Sequence, residues 1–189
     1  RLGDGLLPAT DVGPLINQRA LNRVDEYVQI GRQEGARLLT GGRIATEDGL
    51  ERGCFYRPTL FDGVRPGMRI AQEEIFGPVL SIITVADLAE AIEVNNATAY
   101  GLSSSIFTQD VNAVFTAMRD LTTGIVYINA GTIGAEIQFP FGGTRGTGNG
   151  HREAGQAGID TFTEWKAVYV DFSGRLQRAQ IDTDDIVKL

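Results

Sequence analysis

Residues 79–85 read VLSIITV, and this stretch decides the fold class. The run is apolar and rich in β-branched side chains, which is typical of a strand buried on both faces of a parallel sheet. A helix follows, because Asp87 can cap its first turn and Glu90 stands three residues later, as in a capping box. The apolar side of this helix consists of Leu88, Ala91 and Ile92. Another apolar strand pattern then covers residues 104–108.

The same alternation of strand and helix continues in both directions. Upstream, we predict a helix over residues 20–31 that is capped by Asn17 and stopped by Gly35. It is followed by strands at 37–40 and 56–61, and Pro58 favours an edge position for the second. Downstream, Asp110 caps a helix that ends at Gly124 and has an apolar stripe of Val111, Val114, Phe115, Met118 and Leu121. The pattern then predicts a strand at 124–129, a helix at 151–165 and a strand at 166–172. We therefore expect an α/β protein with three α/β/α layers and a mostly parallel sheet.

The composition argues against several classes of protein. The chain has 189 residues, of which 42% are hydrophobic and 22% charged, as in an ordinary globular domain. Lys and Arg number 17 against 24 Asp and Glu, and the net charge of −7 argues against nucleic acid and anionic membrane as partners. A single Cys and a single His exclude a disulfide framework and a Cys/His zinc site. We expect a soluble, cytoplasmic protein without a bound metal. Because no Met precedes Arg1, we also expect a piece of a longer protein.

Glycines are concentrated between residues 131 and 150, where seven occur. Apolar residues are interleaved with them, so we predict a shaped loop and not a flexible linker; these are Ile133, Ile137, Phe139 and Phe141. The run 146–150, GTGNG, superficially follows a dinucleotide-binding fingerprint. Its third glycine comes one residue early and no apolar strand leads directly into it, so we predict a turn before a helix instead.

Two residues are candidate catalytic groups by type alone. Cys54 is the only thiol, but it precedes a strand pattern and not a helix start, so we favour a structural cysteine over a nucleophile. His151 lies at the end of the glycine-rich stretch without a Ser-His-Asp context, and we favour a surface or capping role over that of a general base.

Residues 73–78, EEIFGP, are the sharpest local feature. A carboxylate here can accept hydrogen bonds from the vicinal hydroxyls of a sugar, and the aromatic side chain two residues later can pack against a ring. The alternative is a solvated pair of acids beside a core Phe. The residue pattern alone leaves both interpretations open.

Residues 72–79, QEEIFGPV, resemble a motif of the NAD(P)-dependent aldehyde dehydrogenase family. Six other segments resemble that family in order and spacing: 13–16 GPLI, 57–61 RPTLF, 99–108 AYGLSSSIFT, 124–129 GIVYIN, 140–143 PFGG and 150–153 GHRE. The matches extend over nearly the whole chain, to about Val170.

The resemblance implies the C-terminal part of an aldehyde dehydrogenase. Residues 1–164 would form part of the catalytic domain, and residues 165–189 an oligomerisation strand and tail of a homo-oligomer. The family's Rossmann-type domain, catalytic cysteine and general-base glutamate would lie upstream, so the chain would contain no catalytic residue and would be inactive alone. The alternative function is that of a non-catalytic binding or assembly module.

The resemblance also implies site residues for an enzyme that oxidises an aldehyde to a carboxylate. Glu74 would bind the ribose hydroxyls of NAD or NADP, and Phe76 would pack beside the nicotinamide. Phe141 would line the aldehyde channel. Residues 129–136, NAGTIGAE, are similar to the semialdehyde dehydrogenase branch that contains antiquitin, although Gln138 and Phe139 depart from it. In that branch the backbone N–H groups at Gly134 and Ala135 would hold a remote carboxylate of the substrate.

Overall fold

A computed structural model describes residues 1–175. Its helices are α1 Gln18–Gln33, α2 Arg69–Gln72, α3 Leu88–Asn96, α4 Val111–Asp120 and α5 Gly155–Thr161. The strands are β1 Arg37–Thr40, β2 Thr59–Asp62, β3 Val79–Ser81, β4 Ser103–Ile106 and β5 Ile125–Ile128. Short 3₁₀ turns cover Leu50–Arg52 and Arg145–Thr147.

Three of the predicted helix starts, those of α1, α3 and α4, are confirmed, because each depends on local side-chain chemistry. The Asn17 side chain accepts a hydrogen bond from the Ala20 N–H at 2.9 Å, and Asp87 accepts one from the Glu90 N–H at 2.9 Å. Asp110 caps α4 in the same way. These side-chain oxygens satisfy backbone donors that the first turn of a helix leaves unpaired. Gly35 ends α1 at a φ of +87°, as its position after the helix predicts.

The predicted α/β class with parallel strands is confirmed, and the parallel pairs lie in two sheets. The first sheet has the order β1-β2-β3, with β1 antiparallel to β2 and β2 parallel to β3. The second consists of the parallel pair β4 and β5. The edge position predicted for the strand after Pro58 is wrong, since β2 is central. Pro58 precedes the first ladder residue, so its missing N–H removes no ladder hydrogen bond.

The strand at 79–85 is shorter and more open than the sequence predicts. Only Val79–Ser81 pairs as β3, and the side chain of Leu80 is 63% exposed. Burial on both faces is therefore wrong for this chain. An apolar run indicates which residues prefer burial, but within residues 1–175 no element covers the Leu80 face.

The core lies between α1 and the three-stranded sheet. Val24 and Val28 of α1 and Phe61 of β2 are completely buried. The core cluster also contains Leu21, Tyr27, Ala36, Tyr56, Val64, Met68, Ile70 and Ile75. Because Ile75 belongs to this core, the segment that follows α2 is fixed against α1.

The second sheet is less covered by its helices. The predicted helix from Asp110 forms as α4, but its apolar stripe is not buried: Val111, Phe115 and Met118 are exposed. Ala117, which neighbours the half-buried Val114 and Leu121 on the helix surface, is completely buried. The amphipathic pattern identified the helix correctly, whereas the cover for its stripe is absent among residues 1–175.

The predicted helix at 151–165 forms only over Gly155–Thr161. The strand predicted at 166–172 is wrong for the chain by itself: these residues have no ladder partner within residues 1–175, and Tyr169 is 95% exposed. Alternation of apolar and polar residues makes a strand only where another strand supplies hydrogen bonds. The tail after residue 175 lies outside the described residues.

Candidate functional site

The segment after α2 separates inward-facing from outward-facing side chains. Ile75 is buried in the core, whereas Glu74 and Phe76 on either side of it are exposed, Phe76 by 77%. Phe76 also adopts a φ of +55°, which is uncommon for a residue with a side chain. The interpretation of Phe76 as a core residue is therefore wrong.

The two neighbouring acids differ in their environments. Glu73 accepts two hydrogen bonds from the Arg69 guanidinium, both at 2.8 Å, and one from the Tyr27 hydroxyl at 2.7 Å. The Arg69 hydrogen bond, followed by that of Tyr27, lowers the pKa of Glu73 to about 2. The Glu74 carboxylate makes no hydrogen bond or ion pair within residues 1–175, although its backbone carbonyl accepts one from Arg23. Glu73 is thus occupied by the protein and Glu74 is available to a ligand.

Gly77 permits this arrangement by its lack of a side chain. A Cβ atom added there would lie 2.3 Å from Cγ2 of Val24, well inside van der Waals contact. The backbone can therefore lie directly on α1 only with glycine at this position. This close approach fixes how near the backbone lies to α1, and therefore where the Glu74 and Phe76 side chains project from the surface.

Glu74 lies on the wall of a cleft of about 480 Å³. The opposite walls come from the turn before β4 and from the glycine-rich loop, and include Thr98, Tyr100 and Thr147. A free carboxylate in such a cleft matches the vicinal hydroxyls of a ribose, since it accepts hydrogen bonds and donates none. The exposed Phe76 ring can pack on a flat heterocycle, although it is not among the residues that wall the cleft. The residues present therefore fit the nicotinamide–ribose end of a dinucleotide.

Part of the glycine-rich stretch is a shaped loop, as predicted. The Gly146 N–H donates to the Ala99 carbonyl at 2.8 Å, and the Thr144 N–H donates to the Gly101 carbonyl at 2.9 Å. A Cβ on Gly124 would lie 1.8 Å from the Gly142 carbonyl oxygen, so the loop packs directly against the start of β5. Residues 145–147 form a 3₁₀ turn, consistent with the turn predicted in place of a dinucleotide fingerprint.

The three residues predicted to bind substrate line one cavity of about 420 Å³. Gly134 and Ala135 lie on one wall and Phe141 on another. The backbone of Phe141 is held by Glu153 through hydrogen bonds of 2.6 and 2.9 Å. Within residues 1–175, neither the Gly134 nor the Ala135 N–H donates to a protein acceptor, so both donors are available.

Two polar residues of this cavity, Tyr127 and Glu136, were not singled out individually by the sequence analysis. Tyr127 of β5 lines it and donates a hydrogen bond from its hydroxyl to the Gly134 carbonyl, and Glu136 lines it beside Ala135. The position of Tyr127 at the end of β5 was the available signal. The interleaved apolar residues Ile133 and Ile137 are exposed, so burial of their side chains does not shape this part of the loop.

Cys54 and His151 lie apart from these features. Cys54 is half-buried and packs against the core cluster, as a structural cysteine would. His151 is exposed, and its backbone N–H donates to the Asn149 side chain at 3.1 Å. Among residues 1–175, no group of three or more His, Cys, Asp or Glu side chains is placed to hold a metal ion. The helices of that range are all too short or too polar to cross a membrane.

Comparison with known proteins identifies a matching family and relatives over most of the chain. The sequence model of the aldehyde dehydrogenase family matches residues 1–168. The α-ketoglutaric semialdehyde dehydrogenase of Bacillus subtilis (strain 168) is 39% identical over 169 residues, which are 89% of this chain and 35% of that protein. The α-ketoglutarate semialdehyde dehydrogenase of Haloferax volcanii is 42% identical over 165 residues, which are 86% of this chain and 34% of that protein.

A solved structure agrees in fold. The P. syringae indole-3-acetaldehyde dehydrogenase AldA, a mutant in complex with NAD+ and IAA, superimposes with a TM-score of 0.83 at 40% identity. The match covers 89% of this chain and 33% of that one. The chain therefore spans about a third of the length of the relatives it matches. From the family match, the sequence identity and the shared fold, we conclude that the chain belongs to the aldehyde dehydrogenase family.

Proposed function

We propose that the chain supplies the cofactor-ribose contact and the far end of the aldehyde pocket in an NAD(P)-dependent aldehyde dehydrogenase. The observation that carries this proposal is the division between the two acids: Glu73 is engaged by the protein, and Glu74 presents a free carboxylate to a cleft. NAD+ in the solved P. syringae relative supports the choice of cofactor class.

In this proposal, the residues of this chain bind and orient the cofactor and the substrate. The Glu74 carboxylate would accept hydrogen bonds from the ribose hydroxyls, and the Phe76 ring would pack beside the nicotinamide. When bound, NAD(P)+ supplies the hydride acceptor for oxidation of the aldehyde. Orientation matters because a small displacement of reacting groups can reduce the rate about a hundredfold. We assign neither the nucleophile nor the general base to these 189 residues.

For the substrate, we propose a semialdehyde that carries a remote carboxylate. The free N–H groups of Gly134 and Ala135 form a local set of donors, which suits an anion. Phe141 would line the passage of the aldehyde chain. The names of the Bacillus and Haloferax relatives, both dehydrogenases of a keto-acid semialdehyde, support this substrate class.

One observation favours a second candidate, an aldehyde with a positively charged far end. Glu136 lines the same cavity as Tyr127, Phe139 and Phe141. A carboxylate among aromatic rings is a suitable environment for an ammonium group, since both attract cations. The same carboxylate would repel an anionic substrate.

The test uses an exchange chimera, in which residues 1–168 replace the matching third of the Bacillus subtilis relative. We expect the folded chimera to form NADH from α-ketoglutaric semialdehyde with higher kcat/KM than from 4-aminobutanal or hexanal. Circular dichroism and thermal unfolding verify the fold. A folded chimera that prefers 4-aminobutanal, and loses that preference in Glu136→Gln, would establish the second candidate. A folded chimera without any NADH formation would refute the proposed function.

A further inference from the structure

Three side chains hold residues 73 and 74 from the neighbouring helices, and we call them the clamp. Arg23 and Tyr27 belong to α1, and Arg69 belongs to α2. They contact the two acidic residues that precede Ile75. None of them was singled out as a site residue by the sequence analysis: Arg23 and Tyr27 are distant in the chain from the residues they hold, whereas Arg69 precedes Glu73 by four residues.

The clamp engages each acid differently. Tyr27 and Arg69 bind the Glu73 carboxylate: the Tyr27 hydroxyl donates to Oε2 at 2.7 Å, and Arg69 donates to both oxygens at 2.8 Å. Arg23 donates to the backbone carbonyl of Glu74. Glu73 is therefore held through its side chain and Glu74 through its backbone carbonyl, while the Glu74 carboxylate stays free.

The members of the clamp also support each other. The guanidinium carbons of Arg23 and Arg69 lie 5.7 and 5.6 Å from the centre of the Tyr27 ring, within the range of a cation–π interaction. Tyr27 itself is only 9% exposed. The buried Tyr27 ring thus restricts two arginine side chains, which would otherwise sample many rotamers.

We propose that the clamp is a positioning device for Glu74, fixing the backbone from which that carboxylate reaches the cofactor. The inference rests on the proposed function, in which Glu74 binds the ribose hydroxyls. A functional carboxylate needs support of this kind, because a site held about 1 Å too loosely loses much of its effect.

The exposed position of Arg23 allows its role in positioning Glu74 to be distinguished from a general contribution to protein stability. Arg23 is exposed, and the neighbouring core is already filled by Val24 and Val28 of the same helix. Its hydrogen bond to the Glu74 carbonyl contributes little to that core. Loss of Arg23 should therefore affect the placement of Glu74 more than the stability of the protein.

The first test measures hydrogen–deuterium exchange in the 189-residue chain. We expect Arg23→Gln and Tyr27→Phe to increase exchange at the amides of residues 74–77 by about tenfold, with little change in α1. Arg19→Gln is the matched control, since Arg19 is exposed one turn before Arg23 in α1 and its side chain makes no hydrogen bond or ion pair within residues 1–175. Unchanged exchange at 74–77 in both variants would overturn the inference.

The second test uses the exchange chimera as NAD+-bound holoenzyme. We expect Arg23→Gln and Tyr27→Phe to weaken NAD+ binding and slow hydride transfer by roughly tenfold each, at an unchanged KM for aldehyde. Arg23→Lys, which keeps a donor, should restore most of the loss.

Glu74→Gln in the same holoenzyme separates the two proposals. If Glu74→Gln weakens NAD+ binding and the clamp variants do not, the clamp assignment alone fails. If Glu74→Gln has no effect, the role of Glu74 in the proposed function fails, and the clamp assignment fails with it. Equal loss of thermal stability and activity in Arg23→Gln, without rescue by lysine, would indicate a purely structural contact and would also overturn the inference.

Discussion

Glu73 keeps its charge at low pH because Arg69 and Tyr27 donate hydrogen bonds to it. Its pKa in the folded chain is about 2, below the ordinary value of 4.5. A lowered folded pKa stabilises the protein above pH 4.5, and this contribution disappears as the pH falls toward 2. We therefore predict that the free energy of unfolding falls less steeply with decreasing pH in Glu73→Gln than in the wild type. Urea unfolding at several pH values tests this: the stability gap between wild type and variant should narrow from pH 5 downward, and a constant gap would contradict it.

Gly134 tests the assignment of the remote carboxylate. A Cβ added there meets nothing within 4 Å, so valine can be accommodated by the protein. It would nevertheless crowd the N–H groups of Gly134 and Ala135, which line the cavity and have no protein acceptor within residues 1–175. We predict that Gly134→Val in the exchange chimera reduces kcat/KM for α-ketoglutaric semialdehyde about ten- to a hundredfold, through loss of a charge-assisted hydrogen bond. Hexanal, which has no carboxylate, is the control substrate. Equal losses for both aldehydes would contradict the assignment.

At the scale of the elements, Gly124 at the start of β5 lies against the glycine-rich loop, and among the glycines of residues 1–175 it leaves the least room for an added Cβ atom. A Cβ on Gly124 would lie 1.8 Å from the Gly142 carbonyl oxygen, and backbone cannot move aside as a flexible side chain can. We predict that Gly124→Ala destabilises the chain by about 1–3 kcal/mol through forced displacement of the loop. Gly67→Ala, where an added Cβ meets nothing within 4 Å, is the control. Urea unfolding measures both, and similar stabilities would refute the prediction.

Elements that depend on local chemistry were predictable from sequence. The caps at Asn17 and Asp87 were predicted correctly because each capping side chain and its partner are three residues apart along the chain. The burial of residues 79–85 and the strand at 166–172 were predicted wrongly. Each depends on a second surface or a second strand, and the local sequence pattern does not show whether one is present. The same limit applied to the site. Sequence could name Glu74, but only the fold distinguishes it from Glu73, which is held by a tyrosine 46 residues away.

At the scale of the whole molecule, exposed apolar surface is extensive at the C-terminal end of the described residues. Trp165, Val168, Tyr169, Val170 and Phe172 are all exposed, and the alternating segment 166–172 has no strand beside it within residues 1–175. Such a segment can pair with a second copy of the chain. We predict a concentration-dependent oligomer, and less association in Val168→Lys combined with Val170→Lys. Light scattering at several concentrations checks this, and a constant monomer mass would contradict it.

The 189-residue chain alone should show no aldehyde dehydrogenase turnover. Cys54, the single thiol, packs against the core, and a nucleophile without an activating base loses many orders of magnitude in rate. NADH formation from short aliphatic aldehydes and semialdehydes should equal the rate without protein. Cys54→Ala is the decisive comparison: turnover that disappears in this variant would show that Cys54 is a nucleophile and would contradict its structural assignment.

The most direct test of the central claim is the effect of Glu74→Gln on cofactor handling in the exchange chimera. The measurement is NAD+ affinity by calorimetry together with the pre-steady-state rate of hydride transfer. Glu93→Gln serves as the matched control, since Glu93 is an exposed acid of α3 whose side chain makes no hydrogen bond within residues 1–175. We predict that Glu74→Gln weakens NAD+ binding and slows hydride transfer by roughly tenfold or more, while Glu93→Gln changes neither. Unchanged affinity and an unchanged rate in Glu74→Gln would contradict the claim that this chain holds the cofactor ribose.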